Sequence, residues 1–593
     1  MDCGWRATVI VLVTLFVVPA VRAEQPPVFQ TWWNENLGLF HVKSWNSLAL
    51  DLKVSDKGFL VTGVLKESAA DRAGMRRGDL VVAASAGVWN GQGKTGQVNV
   101  LRDGKVLSLD VTGAKHTLAG AMLARDDRPR SKPKRIVVDG TGRGDYRTII
   151  GAVLQAAPGD TILVRPGTYR EGVLLSSGVS IQRAGAGGVR IEAVIPLQFL
   201  AVRDATVQGL TIRGNRKSIG ILNCKKISVA DCDIGTKQKH GVSVADSVNI
   251  LFQRCSIRGN EKTYGIILKN TEAKMSDTII SGCGQAVLIK DGSRVDIEHN
   301  LLDGNNTSVA AFDSQITVKN NVITGKGEKN GIFFETSQAL IEGNSIRRHG
   351  AGVHARQARG QILHNTMSQN NFGIMIKGGA VDVSDNVVLD NRYKGINIGH
   401  DKNDPTGSGL ANITRNRITG NGLTGIYVAN HRAEVSHNLL GGNGTGISVH
   451  GTAANLRNNT VVLQTDIGID IGPDSQASVY NNIVAFNAVG IRWDVASPLT
   501  TGFNDVFGNF TKRTFPPQDG NYCRKDRLLT RSGEKIPIVV YPAYDLKAST
   551  DFNDDPEFVH PGYDYRLSAD SSLAKKKGKD GLFIGALPPV SVP

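Results

Sequence analysis

A glycine followed by a β-branched residue returns at near-constant distance through the middle of the chain, and no other feature constrains the fold as strongly. The phrase reads Gly331-Ile332, Gly352-Val353, Gly373-Ile374, Gly395-Ile396, Gly425-Ile426, Gly446-Ile447, Gly468-Ile469 and Gly490-Ile491, at spacings of 21, 21, 22, 30, 21, 22 and 22 residues. A period this short cannot hold a propeller blade or a pair of packed helices, and each copy is rich in Ile and Val with turn residues between. It suits a solenoid whose every turn is a few thin strands and whose core grows by stacking, so that one domain can absorb hundreds of residues.

A second register accompanies the first: Asn300, Asn321, Asn344, Asn365, Asn386, Asn416, Asn438, Asn459, Asn482 and Asn504, continued backwards by Asp277, Cys255 and Cys232. Asparagine tolerates the left-handed backbone that a bend requires, and stacked amides can bond along a column, so these residues are expected to be structural.

In a strand, alternate side chains point to opposite sides. The first and third residues after each glycine are apolar, as in Ile374 and Ile376 or Ile426 and Val428, and should point inward. The second and fourth then point outward. One outward column includes Arg356, Lys377 and His450, and its neighbour includes His354, Met375, Asn397, Tyr427 and Ser448. Cations, histidines and rings on one face suit a groove for an acidic sugar chain, with His354, Arg356, Lys377 and His450 as substrate-binding residues. The 30-residue spacing places an insertion, from His400 to Gly409, directly after one such strand, where loops on a rigid scaffold tend to build sites.

A formal charge of +15 and a pI near 9.5 call for an acidic partner. The groove makes that partner an acidic polysaccharide, with no nucleic acid expected. Arg6, an apolar run from Ala7 to Val18 and the Ala20-Val21-Arg22-Ala23 end read as a cleaved signal peptide over 1–23, with no transmembrane segment after it and a periplasmic or extracellular destination. The cysteines left after cleavage are Cys224, Cys232, Cys255, Cys283 and Cys523, an odd set without metal-ligand spacing that is expected to serve packing.

Three resemblances add to this reading. The stretch from Gly144-Asp145-Tyr146 through Ala157-Pro158-Gly159-Asp160 to Pro166-Gly167-Thr168-Tyr169 looks like the opening coil of pectate-lyase-like right-handed parallel β-helices, with a helix over Tyr146–Ala157 and a first strand over Thr161–Val164. In that family the asparagine ladder lies between the second and third strands of a coil, which makes the Gly-Ile strand the first of the next. A pectin-methylesterase activity is excluded, because Gln285-Ala286-Val287 occurs without the family's second catalytic motif.

The stretch Ser68-Ala69-Ala70-Asp71-Arg72-Ala73-Gly74-Met75-Arg76-Arg77-Gly78-Asp79, with the hairpin Arg102-Asp103-Gly104-Lys105, resembles a bacterial PDZ domain. The resemblance implies that backbone amides of Leu37, Gly38 and Leu39 receive the carboxylate of a peptide or protein partner. The chain departs from the family at Val88–Gln97, where turn formers stand in place of the groove helix. The Arg125–Arg135 run, dense in charge and carrying two prolines, marks a linker.

The insertion is similar in flavour to the site of mannuronan carbon-5 epimerases. That resemblance, carried by His400-Asp401, Asp404-Pro405 and His431-Arg432, implies His400 as a base and Arg432 as its partner. The chemistry of proton abstraction adds Asp401 to orient the base and Tyr427 or His450 to return a proton. Asp401, Asn403 and Asp404 could alternatively collect a calcium ion through their oxygens. The expected organisation is therefore a mainly β chain: signal peptide 1–23, a small PDZ-like α+β domain 34–113, a basic linker 114–135, a right-handed single-stranded parallel β-helix 136–510 and a capping segment 511–593. Its expected action is lyase- or epimerase-type proton abstraction next to a uronate carboxylate, or else non-catalytic carbohydrate binding as an envelope scaffold.

Overall fold

The computed structural model describes residues 50–112 with gaps, 132–400 except 237 and 238, 409–511 except 495, 496 and 498, and parts of 518–587. The expected signal peptide 1–23, the residues Leu37, Gly38 and Leu39, most of the expected linker, and Asp401, Asn403 and Asp404 lie outside the described residues. The chain divides into two units, Met1–Gln238 and Lys239–Pro593.

In the first unit, the strands Leu50–Ser55, Gly58–Val64, Leu80–Ala84, Thr95–Arg102 and Lys105–Thr112 pair antiparallel in sequence order. The segment ending in Asp79 and the Arg102 hairpin, which stood far apart in the sequence, meet here. Arg102 donates from Nε to Asp79 Oδ1 at 2.7 Å and from Nη2 to Asp79 Oδ2 at 2.8 Å. Burial opposes ionisation of Asp79, but bonds from Arg102 and from the Arg76 N–H outweigh it and hold the carboxyl below its ordinary range.

Further along this unit, the helix expected over Tyr146–Ala157 forms over Ile149–Gln155 and the strand Thr161–Val164 forms as expected. Thr148 caps the helix, and the Glu171 carboxylate accepts the Ile149 and Ile150 N–H groups at 2.9 Å each, as the positive end of a helix favours. The Asp160 carboxylate accepts Lys134 N and Ala157 N, which fixes the turn that carries the chain from helix to strand. Three short stacks of parallel strands then follow, each paired turn to turn.

The second unit continues the same construction on a longer scale. Ile332, Val353, Ile374, Ile396, Ile426, Ile447, Ile469 and Ile491 pair in unbroken parallel register, straight across the long spacing. The glycine before each has a steric cause. A Cβ at Gly373 would lie 2.5 Å from the carbonyl oxygen of Gly395, and one at Gly395 would lie 2.7 Å from that of Gly425. No side chain fits where successive turns approach this closely.

The asparagine column lies between the second- and third-sheet strands and bonds as a continuous ladder. Asn365 N and Nδ2 both donate to Asn386 Oδ1, and Asn386 N and Nδ2 both donate to Asn416 Oδ1 across the insertion. Two details differ from the sequence reading. The left-handed residue is the one before each ladder asparagine, with φ of 55° at His364, 58° at Asp385 and 54° at Arg415; the asparagine itself is needed for its bonds. Backwards, the column passes through Thr278, which accepts Cys255 N, while Asp277 is the left-handed neighbour.

A second ladder was not anticipated. It runs through Asn370, Asn391, Asn421, Asn443, Gln464, Asn487 and Asn509, between the third strand and the next first strand. Its signal was an Asn five residues after most members of the first ladder. Cys224, Cys232, Cys255 and Cys283 are buried and unbridged, in keeping with packing. Among the described residues no helix is long and apolar enough to cross a membrane.

Residues after 504 do more than close the stack. The Asn504 N–H passes the ladder on to Asp551 Oδ1, while Phe558, Tyr565, Leu567, Leu573 and Ile584 pack against Leu439, Val462, Ile483 and Ala485 on the outer side of the third sheet. The tail therefore covers one flank of several turns as well as adding to the end. At this junction Asp505 is wholly buried, Oδ1 accepts Asp554 N at 2.9 Å, and Oδ2 has no hydrogen-bond partner among the described residues. Burial, with Asp554 and Asp555 adding repulsion, pushes the Asp505 carboxyl up to about 7.

Because that folded-state value lies above the unfolded one, Asp505 favours the fold fully only below the unfolded pKa, and the contribution is lost as pH rises through about 7. Asp505→Asn should therefore raise the melting temperature at pH 8 by an amount that shrinks as pH falls towards 4. The limiting gain is a few kcal/mol, at about 1.4 kcal/mol per pH unit. Thermal scans of both proteins at pH 4, 6 and 8 check this, and a pH-independent difference would rule it out.

Candidate active site

The first-sheet strands Lys394–Gly399, Thr424–Ala429, Thr445–His450, Ile467–Ile471 and Val489–Asp494 stack in parallel. Their Ile and Val residues are buried inward, so the alternate positions form outward columns about 4.8 Å apart per turn. One column reads Asn397, Tyr427, Ser448, Asp470, Arg492; the other passes from Lys377 through Gly399 and Ala429 to His450.

The polar groups cluster on these turns. Tyr427 and His450 lie with ring centroids 5.5 Å apart. The Ser448 hydroxyl is 2.9 Å from His450 Nε2, Asp470 Oδ2 is 3.9 Å from the same nitrogen, and Arg492 Nε donates to Asp470 Oδ1 at 2.9 Å. A Cβ at Gly472 would fall 2.1 Å from His450 Nδ1, so glycine there makes room for the imidazole. Asp470 and Arg492 neutralise each other and wall His450 from one side.

Lys394 completes the group. Its Nζ stands 3.1 Å from the centroid of the Tyr427 ring and 3.5 Å from Asn397 Oδ1. The ring face attracts a cation, yet loss of water dominates, and burial pushes the Lys394 amine down to about 8. A lysine so placed can exchange a proton near neutrality. The residue was not a candidate in the sequence because it precedes the glycine from which the outward columns were counted. A lysine at the head of one repeat, where neighbouring copies carry Phe372 and Thr424, was the available signal.

The other candidates spread along the face. Lys377 is exposed and has no ion-pair partner among the described residues, whereas Arg356, one turn earlier, is paired to Glu335 at 3.1 Å. From Lys377 to His450 is three turns, about 14 Å at strand spacing. Between them Gly399 and Ala429 carry little or no side chain beside Tyr427, and among the described residues only the Ala429 oxygen comes within 4 Å of a Cβ built at Gly399. His354 stands edge-on to Phe333 at 5.1 Å, three turns from Tyr427.

His400 follows Gly399 at the root of the insertion and is half-buried. Arg432 is not brought to this face: the chain turns a corner after Ala429, and Arg432 opens the second-sheet strand Arg432–Ser436 opposite Leu410. His431 at that corner is buried, with Nδ1 2.9 Å from Arg432 O and Nε2 3.1 Å from Gly379 O, a role in holding backbone. Among the described residues no group of three or more His, Cys, Asp or Glu side chains could hold a metal ion.

No curated protein sequence matches the chain. Solved structures similar to it include a periplasmic alginate epimerase (10% identity over 51% of this chain and 76% of that one, TM-score 0.31). Others are a family 28 exopolygalacturonase of Yersinia enterocolitica (11%, 70% and 84%, 0.29) and an alginate lyase of a Paenibacillus species (13%, 45% and 98%, 0.25). The family described as the right handed beta helix region matches residues 197–338, 313–461 and 381–515. Those matches jointly span more than half of the 593 residues, and they agree with the stacked parallel strands and their ladders: the chain belongs to the right-handed β-helix family.

Proposed function

We propose that the protein acts on an acidic polysaccharide laid along the outer face of the first sheet, by removing the proton next to a uronate carboxylate. The observation that carries this reading is the Lys394–Tyr427–His450 group beside the small residues Gly399 and Ala429, with Lys377, a cation that has no ion-pair partner among the described residues, on their far side. Proton abstraction at that carbon builds negative charge on the carboxylate, which a fixed cation stabilises. In this reading Lys377 neutralises the carboxylate and His450, oriented by Ser448 and Asp470, takes the proton. The Tyr427 hydroxyl supplies a proton on completion, and Lys394 adjusts the charge beneath the phenol ring.

His400, at the root of the insertion, stands as a second candidate base, with Asp401 to orient it. His354 and Arg356 extend the binding face. The residues over 34–113 are proposed to form a PDZ-like module that docks a peptide or protein through Leu37, Gly38 and Leu39, and the leader to direct the chain to the periplasm or outside.

The test is incubation of the mature chain with polymers of mannuronate, guluronate, galacturonate and glucuronate. Absorbance of unsaturated products reports a lyase, and exchange of the carbon-5 proton with deuterated solvent reports an epimerase. Either signal on at least one polymer is expected. Silence across the panel, with binding retained, would replace the enzyme by the carbohydrate-binding scaffold.

A further inference from the structure

The outer face of the second sheet carries a trough that the proposed active site does not use. It runs across four turns from Leu410 and Arg432 to Thr500 and encloses about 430 Å³. The register explains why it is there. In the outward column Asn412, Glu434, Asn455, Ser478 and Thr500, side chains shorten from Glu434 through Asn455 to Ser478, and in the adjoining column Ala453 stands between Arg432 and Gln476. The floor drops where these short residues lie.

Earlier turns of the same sheet bind their own polar groups. Lys274 pairs with Glu298 at 2.7 Å, Lys319 with Glu342 at 2.8 Å, and Asn412 donates to Asp382 at 2.7 Å. In the trough this self-pairing is incomplete. Asn455 satisfies Glu434 at 2.9 Å, which leaves the exposed Arg432 guanidinium without an ion-pair partner among the described residues, and the exposed Gln476 and Thr500 facing outward. On these turns the tail packs against the third sheet's outer side and not, among the described residues, against the trough.

We propose that the trough is a second binding site, for a segment of a linear carboxylated polysaccharide lying parallel to the stack. Amides and a hydroxyl repeating at roughly 4.8 Å suit the hydroxyls of successive sugar units. Arg432, a planar donor fork, suits one carboxylate. The trough's lining has no aromatic ring and, apart from Leu410, is polar or small, so it grips through hydrogen bonds and the Arg432 charge, with Glu434 held by Asn455. The site holds polymer and carries no chemistry, and the proposal stands whether or not the first-sheet face turns substrate over.

The experiment is calorimetric titration of the full mature chain with defined oligomers of mannuronate and of galacturonate, with cello-oligosaccharide of equal length as the neutral control. Four proteins are compared: wild type, Arg432→Glu, Ser478→Trp, which fills the floor, and His450→Ala on the other face. Circular dichroism confirms that each is folded. A uronate-binding event is expected that weakens at least tenfold in Arg432→Glu, is lost in Ser478→Trp, persists in His450→Ala, and is weak or absent with the neutral oligomer. Binding that is unaltered in both trough variants, or no binding of any uronate oligomer, would overturn the proposal. Absence of turnover in the wild type, with the trough event retained, would count against the first-sheet reading alone.

Discussion

His450→Ala lowers turnover on the responsive uronate polymer by roughly 10²–10⁴-fold, the range expected when a positioned acid or base is removed. Tyr427→Phe falls in the same range, because it deletes only the hydroxyl and leaves the ring under Lys394 Nζ. Both substitutions should act on kcat. Lys377→Ala, which removes a charge that meets the substrate carboxylate before and during reaction, should raise KM as well. The three residues stand on strands whose inward side chains are fully buried, so the melting temperature should hardly move. Steady-state kinetics with a thermal scan of each variant provide the check, and a His450→Ala protein with wild-type kcat would remove the imidazole from the mechanism.

Asn386→Ala has the largest expected effect on stability. Asn386 Nδ2 donates to Ile362 O, Ser384 O and Asn416 Oδ1, and Asn386 Oδ1 accepts both Asn365 N and Asn365 Nδ2. The residue is 1% exposed, so alanine leaves a buried carbonyl and a buried N–H without partners. At about 1–3 kcal/mol for each orphaned group, the loss is on the order of 3–5 kcal/mol. Asn386→Asp should be worse at neutral pH despite its identical shape, because a carboxylate would face three oxygen acceptors. Asn412→Ala, which loses one surface bond to Asp382, is the control and should stay within about 0.5 kcal/mol. Denaturant midpoints rank the three, and an Asn386→Ala midpoint equal to that of Asn412→Ala would show that the ladder is not cooperative.

The architecture was legible because its signals recur. One Gly-Ile pair is unremarkable, but eight in register can only be stacked turns, and the steric contact beneath each glycine explains why they could not drift. The second ladder was equally visible as an asparagine at a fixed offset from the first. That offset is a spacing within one turn, which the turn-to-turn period does not reveal. The site was harder to read. Tyr427 and His450 stand on the outer face of the first sheet, where strand alternation alone placed them. Arg432 does not, since nearness in sequence to the insertion gave no warning that the chain turns a corner between Ala429 and Arg432. Lys394 shows its character only through burial against Tyr427, a contact made between turns. Phe558 and Leu573 belong to no repeat, and where an unrepeated apolar residue lands depends on which surface is left uncovered.

Both asparagine ladders cross the insertion without a break, joining Asn386 to Asn416 and Asn391 to Asn421 over 30 residues. The hydrogen-bonded spine therefore takes no account of how much chain leaves a corner before it returns. Corners of such a scaffold can be lengthened, trimmed or exchanged in the course of descent while the turns above and below keep every bond. A fold built on such a spine can be altered one loop at a time and remain the same fold.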